Sequence, residues 1–493
     1  MPSMTLSPRR AVTVGALAVA AALAAGHLVA GIISPNASPF LAVGNTAIDL
    51  TPAAVKDFAI RTFGTYDKVV LLGGMGLVLV VIAVAAGLMS RKGPVPGIVV
   101  AILLGGTGIA AVLARPDLSL LAVLAPIASL VSGTAVFYWL HRLRPTPASG
   151  RRRFLFVSAG VIAAGVGGQL LATRDVSGSR AAVGDLTPAS PAPPIPPDAD
   201  FGTPRFITSN RDFYRVDTAL TVPQLRAEDY ALRIHGAVDK ELLLSFGDIR
   251  RLPLVERTIT LTCVSNEVGG PYMSTSNFIG VPLREILAEA GVKPGADQLF
   301  STSVDGWTAG TPVADVVDRG LLAIGMNGEP LPVEHGFPAR MVVPGLYGFV
   351  SATKWVVDME LTTFAAKKAY WLNRGWAERA PIKTQSRIDA PSGFARVRAG
   401  KVLITGTAWA QTRGIAKVEV RANNGPWIPA RLAAEVNVDT WRMWRAELDL
   451  SPGLHSVECR ATDKAGYTQT DQRVPPIPDG ATGWHSTTFT AEA

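Results

Sequence analysis

The chain has 493 residues, 48% of them hydrophobic, a formal net charge of +8 and two cysteines, Cys263 and Cys459. Two cysteines exclude a disulfide framework, a CxxC metal site and a CxxCH haem attachment, so no haem is expected. The positive charge flanks apolar segments and forms no basic stripe interleaved with aromatics, which excludes nucleic acid as a partner.

Ala, Val, Leu and Gly dominate the first 172 residues. Five stretches there are long and apolar enough to cross a bilayer: Ala11–Ile33, Val69–Met89, Val95–Leu113, Leu118–Leu140 and Phe154–Ala172. Arg9 and Arg10 precede the first, Arg91 and Lys92 follow the second, and His141, Arg142, Arg144 and Arg151 to Arg153 separate the fourth from the fifth. The opposite loops, such as Arg115-Pro116-Asp117, are short or mixed in charge. The positive-inside rule then puts the basic loops in the cytoplasm and everything after Ala172 outside it. In the first outer loop, Thr51 and Pro52 predict the start of a short surface helix. The spans carry no charge that would mark a transport path. His27 and His141 fall at opposite depths, which makes them packing or interfacial residues rather than a haem pair.

"GRRRFLFVSAG" from Gly150 sets three arginines before Phe154 and Leu155, the pattern of a twin-arginine export signal. "SPRRAV" at residues 7–12 is a rival that lacks the Phe-Leu. Residues 173–204 include "GDLTPASPAPPIPPDADFGTP", which predicts an extended, exposed tether with a globular part starting near Arg205. Residues 205–376 mix strand and helix patterns. "DYALRIHGAV" and "RTITLTC" alternate as strands. "SFGDIRRL" is a short capped helix, and "PLREILAEAGV" is a helix stopped by Gly291. Residues 377–493 carry "KVLITGTAWA", "IAKVEVRANNG", "WRAELDL" and "HSVECRATDKAG", strands about ten residues apart that predict an immunoglobulin-like β-sandwich. The fold class is therefore multi-domain: a helical transmembrane bundle, an α+β domain and an all-β sandwich.

Cys263 ends a predicted strand and is followed by "VSNEVGG". By itself a cysteine there is a small buried hydrophobe, a nucleophile or a soft-metal ligand. "EHGFPARMVVPGLYGFVSATKW" joins an exposed-looking His335, Arg340, glycine turns and Lys354, a set that suits an anionic phosphate or a solvated hairpin.

Together "TLTCVSN" and "MNGEPLPVEHGFPARMVVPGLYG…KW" resemble the sulfite oxidase family of molybdopterin-dependent oxidoreductases, and the sandwich resembles that family's dimerisation domain. The resemblance covers about residues 205–490 and leaves the membrane half outside it. It implies that Cys263 ligates molybdenum carried by a single molybdopterin. It implies further that His335, Arg340 and Lys354, with Ala352 and Thr353, hold the pterin and its phosphate. Asp305 in "TSVDGW" matches another cofactor-side position, as do Tyr214, Arg215 and Asp217 in "NRDFYRVDT", with Asn210 beside them. Arg340 to Lys354 is one residue longer than the family spacing. Where sulfite oxidases carry oxyanion-binding basic residues, this chain has Asn266, Glu267 and Val268, and Trp376 stands at the place of an active-site tyrosine.

The expected function is two-electron oxygen-atom transfer on a small-molecule substrate other than sulfite, by a homodimer anchored in a bacterial membrane. A separate cytochrome or quinone-linked partner would carry the electrons. A cofactor inserted in the cytoplasm needs a route that exports folded domains, which is what the arginines at 151–153 would serve. The competing expectation is a non-catalytic envelope protein that uses the sandwich for assembly or adhesion.

Overall fold

The computed structural model describes residues 5–142, apart from 53–54, 56–57, 59–61, 64–65 and 116–117, then residue 160 and residues 176–493 apart from 203. The fifth apolar stretch, apart from residue 160, and the arginines at 151–153 lie outside the described residues, as do much of the outer-loop helix expected after Thr51 and most of the Arg115-Pro116-Asp117 loop. The chain forms two compact units, residues 1–179 with 218–224, and residues 180–217 with 225–493.

The first unit is helical: α1 (Pro8–Ile33), α2 (Pro39–Leu50), α3 (Asp67–Met89), α4 (Val95–Leu113) and α5 (Leu124–Arg142). Among the described residues, four helical stretches are long and apolar enough to cross a membrane, Pro8–Ile33, Lys68–Lys92, Val95–Leu113 and Leu120–Arg142. They match the first four expected spans. Apolar side chains do not drive helix association in lipid, so small residues and interhelical hydrogen bonds must. At the α1–α3 crossing, a Cβ on Gly15 would fall 2.1 Å from the Ala83 carbonyl oxygen. Ser129 and Ser132 of α5 donate to the carbonyls of Ala22 (2.8 Å) and Ala21 (3.2 Å) of α1. His141 packs on Phe137 and meets the Ser90 carbonyl at 2.7 Å, so it serves packing.

The second unit begins at Arg180 and carries the proline-rich stretch, which is extended and largely exposed as expected but is docked at several points rather than free. Residues 180–183 are helical, and Val183 and Leu186 are buried. Arg180 donates to the carbonyls of Pro330 and Leu331, and Ala189 N–H bonds the Leu254 carbonyl at 2.8 Å. Proline cannot join a ladder, but its flanking amides can, and here they dock the segment.

Two sheets follow. One has the order β2 (Leu242–Ser245), β1 (Ala231–Gly236), β10 (Val356–Thr362), β5 (Gln298–Ser303), β6 (Thr308–Pro312), with β1 and β10 parallel. The other runs β3 (Val255–Thr262), β4 (Met273–Pro282), β7 (Leu321–Met326), β8 (Glu329–Pro330), with β9 (Arg340–Val342) paired to β7. β-Branched residues stiffen β3, and its buried hydroxyls are satisfied across the strand pair: Thr260 with Thr275 at 2.5 Å, Thr258 to Asn277 at 2.8 Å. The expected helices are present. α6 (Phe246–Arg251) carries a Ser245–Asp248 capping box, and α7 (Leu283–Ala290) ends at Gly291 in the left-handed region. Two further helices, α8 (Val313–Arg319) and α9 (Gly348–Ser351), complete this part.

The remaining strands form two packed sheets. One is β11 (Gln385–Ala390), β13 (Gly400–Trp409), β17 (Arg442–Leu450), β16 (Arg431–Leu432). The other is β12 (Arg396–Arg398), β19 (His485–Glu492), β18 (Gly453–Asp463), β14 (Ile415–Ala422), β15 (Ile428–Pro429). Ile404, Trp444, Val418, Val457, Cys459 and Phe489 fill the layer between them. The sandwich also grips β3: the Thr260 amide donates to the Asp439 carbonyl (3.0 Å), and the Trp441 amide donates to Thr260 Oγ1 (2.8 Å).

Candidate active site

Cys263 follows the last residue of β3 and is 9% exposed. Its amide continues the β3–β4 pairing by donating to the Tyr272 carbonyl at 3.0 Å. Burial pushes its thiol pKa up. Hydrogen bonds from Ser265 and Val264 and the charge of Lys354 oppose that shift. Among the described residues, no three His, Cys, Asp or Glu side chains are grouped to hold a metal ion. A metal at Cys263 would need its other ligands from a group that brings them.

A cationic cradle stands beside Cys263. Arg340, at the start of β9, is 5% exposed; its Nη1 donates to the His335 carbonyl at 3.1 Å and its Nε has no hydrogen-bond partner among the described residues. Burial lowers its pKa to about 10. Lys354, two residues before β10, donates to Asp217 Oδ2 (2.9 Å) and to the Glu334 carbonyl (3.3 Å). Burial lowers its pKa to about 8, against the pull of Asp217. Arg215 shares the same carboxylate at 2.8 Å. Two cations, Lys354 and Arg215, thus share the buried carboxylate of Asp217, and Arg340 adds a third positive charge that it does not pair. A buried, unpartnered guanidinium nitrogen and this charge excess are what a phosphate-bearing ligand would satisfy.

The backbone permits this crowding at Gly336, whose φ is +114° and where a Cβ would lie 3.0 Å from Arg340 Cβ and 3.3 Å from Lys354 Cα. Gly348 places the start of α9 beside the end of β3 and Tyr214: a Cβ there would lie 3.8 Å from both the Thr262 carbonyl and the Tyr214 hydroxyl. Burial raises the Tyr214 pKa, and the neighbouring Cys263 adds to the shift.

His335, which the sequence presents as exposed, is 3% exposed. It packs edge-on to Phe213, and its Nε2 meets the Asn210 carbonyl at 2.9 Å, so Nε2 carries the proton and Nδ1 is left as an acceptor. Burial, then the charge of Arg340, lowers its pKa to about 4. His485 of the sandwich is lowered to about 4 by burial, then by Arg387 and Arg473. Both folded values lie below the ordinary 6.5, so the unfolded chain takes up these protons first as pH falls. Stability from this source is full above pH 6.5 and is lost towards pH 4, by on the order of 2–3 kcal/mol per histidine. Thermal unfolding of the detergent-solubilised chain between pH 7 and pH 4.5 should show this loss, and His485→Gln should flatten it.

The other expected residues are placed less directly. Thr353 is fully buried, with its hydroxyl paired to Ser301 (2.7 Å) and its carbonyl accepting the Met341 amide (2.8 Å), and the Ala352 amide bonds the Gly348 carbonyl (3.0 Å). Asp305 accepts the Trp307 amide in the β5–β6 turn, which is tied to the Lys354 segment through Val304 N–H and the Trp355 carbonyl (2.9 Å). Asn266 is buried, with Oδ1 accepting the Tyr272 amide at 2.8 Å and Nδ2 unpartnered, while Glu267 is exposed. Trp376 packs against Phe349 and Trp371.

Sequence reasoning missed Asn327. At φ +51°, its side chain accepts from Ser276 and the Asn277 amide and donates to the Thr208 carbonyl and to Asn210, fixing the loop on which His335 rests. The Asn-Gly pair in "MNGEP" was the available signal.

The family described as oxidoreductase molybdopterin binding domain matches residues 219–371. The chain is 30% identical over 337 residues to mitochondrial sulfite oxidase of Homo sapiens, covering 57% of this chain and 60% of that one. It is 36% identical over 149 residues to the uncharacterized oxidoreductase YuiH of Bacillus subtilis (strain 168), covering 30% of this chain and 72% of that one. The crystal structure of the sulfane dehydrogenase SoxCD from Paracoccus pantotrophus aligns with a TM-score of 0.52 and 26% identity, over 58% of this chain and 84% of that one. The chain thus spans about 60% of the length of the mammalian mitochondrial sulfite oxidases it matches. The cradle's chemistry, the cysteine at the end of β3 and these matches agree: the chain belongs to the sulfite oxidase family of molybdopterin-dependent oxidoreductases.

Proposed function

We propose that the chain is a membrane-anchored oxidoreductase that uses a single molybdopterin, with its catalytic domain on the extracytoplasmic face of a bacterial membrane. The observation that carries this reading is the buried excess of positive charge beside Cys263. In it Cys263 gives the one protein thiolate. Arg340, Lys354 and Arg215 neutralise the phosphate, with Asp217 keeping Lys354 and Arg215 aimed. Neutral His335 offers Nδ1 as an acceptor, Tyr214 and Asp305 flank the ligand, and the backbone of Ala352 and Thr353 completes the cradle. The bound group would supply two-electron oxygen-atom transfer, and the protein supplies binding and electrostatics.

The loop after Cys263 sets the substrate class. A buried Asn266, an exposed Glu267 and a buried Val268 give no cation to a sulfite dianion, and the Glu267 carboxylate opposes it. The indole of Trp376 can donate but not accept a hydrogen bond. An uncharged oxygen donor or acceptor suits this mouth. We further propose that the sandwich is immunoglobulin-like and pairs two copies of the chain, and that a cytochrome or a quinone-linked protein exchanges the electrons.

The full chain, purified in detergent, tests this with reduced viologen as donor and ferricyanide as acceptor. The expected result is stoichiometric molybdenum and pterin, turnover of a neutral sulfoxide, and a kcat/KM for sulfite about a hundredfold lower or worse. Preferred turnover of sulfite would overturn the substrate class. Folded protein free of molybdenum and pterin would favour the envelope role.

A further inference from the structure

The loop from Val264 to Pro271 carries Asn266 and Glu267, yet few of its bonds are its own. Within the loop, the Asn266 amide bonds the Cys263 carbonyl (3.1 Å) and the Gly270 amide bonds the Glu267 carbonyl (2.8 Å). Cys263 itself is fixed by the β3–β4 pairing and does not depend on the rest of the loop. The far end is held from the sandwich. Arg387 of β11, its side chain 12% exposed, donates Nη1 to the Gly270 carbonyl at 2.8 Å and Nε to Asp389 at 2.6 Å. Asp389 is itself 10% exposed, so it locks the guanidinium in place. His485, the first residue of β19, accepts the Ile388 amide on Nδ1 at 3.0 Å. Its ring packs directly on Gly269: a Cβ there would fall 2.2 Å from His485 Cδ2, and Gly269 has a φ of +81° that favours glycine. Behind this contact lies a solvent-open cavity of about 680 Å³ lined by Gly269, Pro271, Arg387, Asp389, Phe394 and His485. Asn266 is thus tied to Cys263 and Tyr272, while the Gly269–Gly270 end of the loop borders free volume and is held from the sandwich by Arg387 and His485.

We propose that Arg387 and His485 are positioning residues of the sandwich that, through the Gly269–Gly270 turn, set where Glu267 stands beside Cys263, without fixing Cys263 itself. This rests on the functional reading above for its consequence in turnover and on geometry alone for its mechanical part. The sandwich is thereby a specificity element and not solely an assembly module.

The test uses the full chain in detergent and the variants Arg387→Ala, Arg387→Lys and Gly269→Ala. Amide hydrogen exchange is read peptide by peptide and needs no turnover. In Arg387→Ala, peptides covering 264–271 should exchange about tenfold faster or more, while those of β13 and β17 stay within about twofold of wild type. Arg387→Lys keeps a donor for Gly270 and should restore part of the protection. Gly269→Ala should accelerate the same peptides by displacing the ring of His485. In loaded enzyme, Arg387→Ala should raise KM about fivefold or more with kcat within about twofold. Unchanged exchange at 264–271 would overturn the proposal, as would faster exchange spread evenly over the sandwich. A matched fall in kcat with unchanged KM would overturn the specificity role. If wild type shows neither metal nor turnover, the functional reading fails while the exchange result still decides whether Arg387 and His485 hold the loop.

Discussion

A Cys263→Ser chain folds, keeps its cationic cradle and loses turnover by about three orders of magnitude or more, equivalent to about 4 kcal/mol of barrier. Serine is nearly isosteric, and the site is held by backbone bonds that the substitution leaves alone: Cys263 N–H to the Tyr272 carbonyl and Asn266 N–H to the Cys263 carbonyl. Thermal unfolding should therefore change little. The chemistry changes completely. A soft metal wants a thiolate, and metal binding must expel the thiol proton. Burial holds the Cys263 thiol pKa up, while the amides of Val264 and Ser265 and the charge of Lys354 are placed to stabilise the sulfur once it is ionised. A hydroxyl in the same place has no accessible ionisation. Metal content by mass spectrometry and pterin content by fluorescence separate the two halves of the site. Molybdenum should fall, and pterin should be retained better than molybdenum, because Arg340, Lys354 and Asp217 are untouched. Turnover within tenfold of wild type in Cys263→Ser would remove Cys263 from the chemistry.

How much of this was legible follows from which contacts are local. The strand ending at Cys263 was legible because Thr258, Ile259, Thr260 and Leu261 alternate and are β-branched or apolar. α6 was legible because its capping box closes within four residues, and α7 because Gly291 stops it. The sandwich strands showed the same local alternation. Four membrane spans were legible by length and hydropathy. What escaped depends on partners distant in sequence. "PASPAPPIPP" gives no sign that Ala189 bonds Leu254 or that Arg180 reaches Pro330 and Leu331. His335 looks exposed in a polar turn and is covered by Phe213 and Asn210, more than a hundred residues upstream. Arg387 reads as an ordinary polar residue of a strand, and only the fold brings it to Gly270, 117 positions away. The cofactor residues were found by family resemblance, because spacing alone does not say that Asp217 meets Lys354.

Replacing Arg340 with methionine should move stability and ligand retention in opposite directions. Arg340 remains charged at neutral pH, since even its lowered pKa is about 10, and it is 5% exposed. In the unloaded chain that charge is met by one carbonyl, that of His335, by the ring of Phe278 at 5.8 Å, and by no partner at Nε. Lys354 adds to the strain, because its nearby charge is unfavourable to Arg340, and Asp217 is already shared with Arg215. A methionine of similar length removes the desolvation cost and fills the same apolar wall beside Phe278. Unloaded protein should gain about 1–3 kcal/mol, read as a higher midpoint in thermal unfolding. The loaded protein loses a charge-assisted contact in a dry site, for which about 2–5 kcal/mol, or on the order of a hundredfold in retention, is the expected scale. Dialysis of loaded enzyme followed by pterin fluorescence reads the second arm. A structural arginine gives the reverse pattern, with a lower midpoint and a retention loss that merely follows unfolding. The opposed signs would identify Arg340 as a residue kept at the expense of the empty fold for the anion it holds.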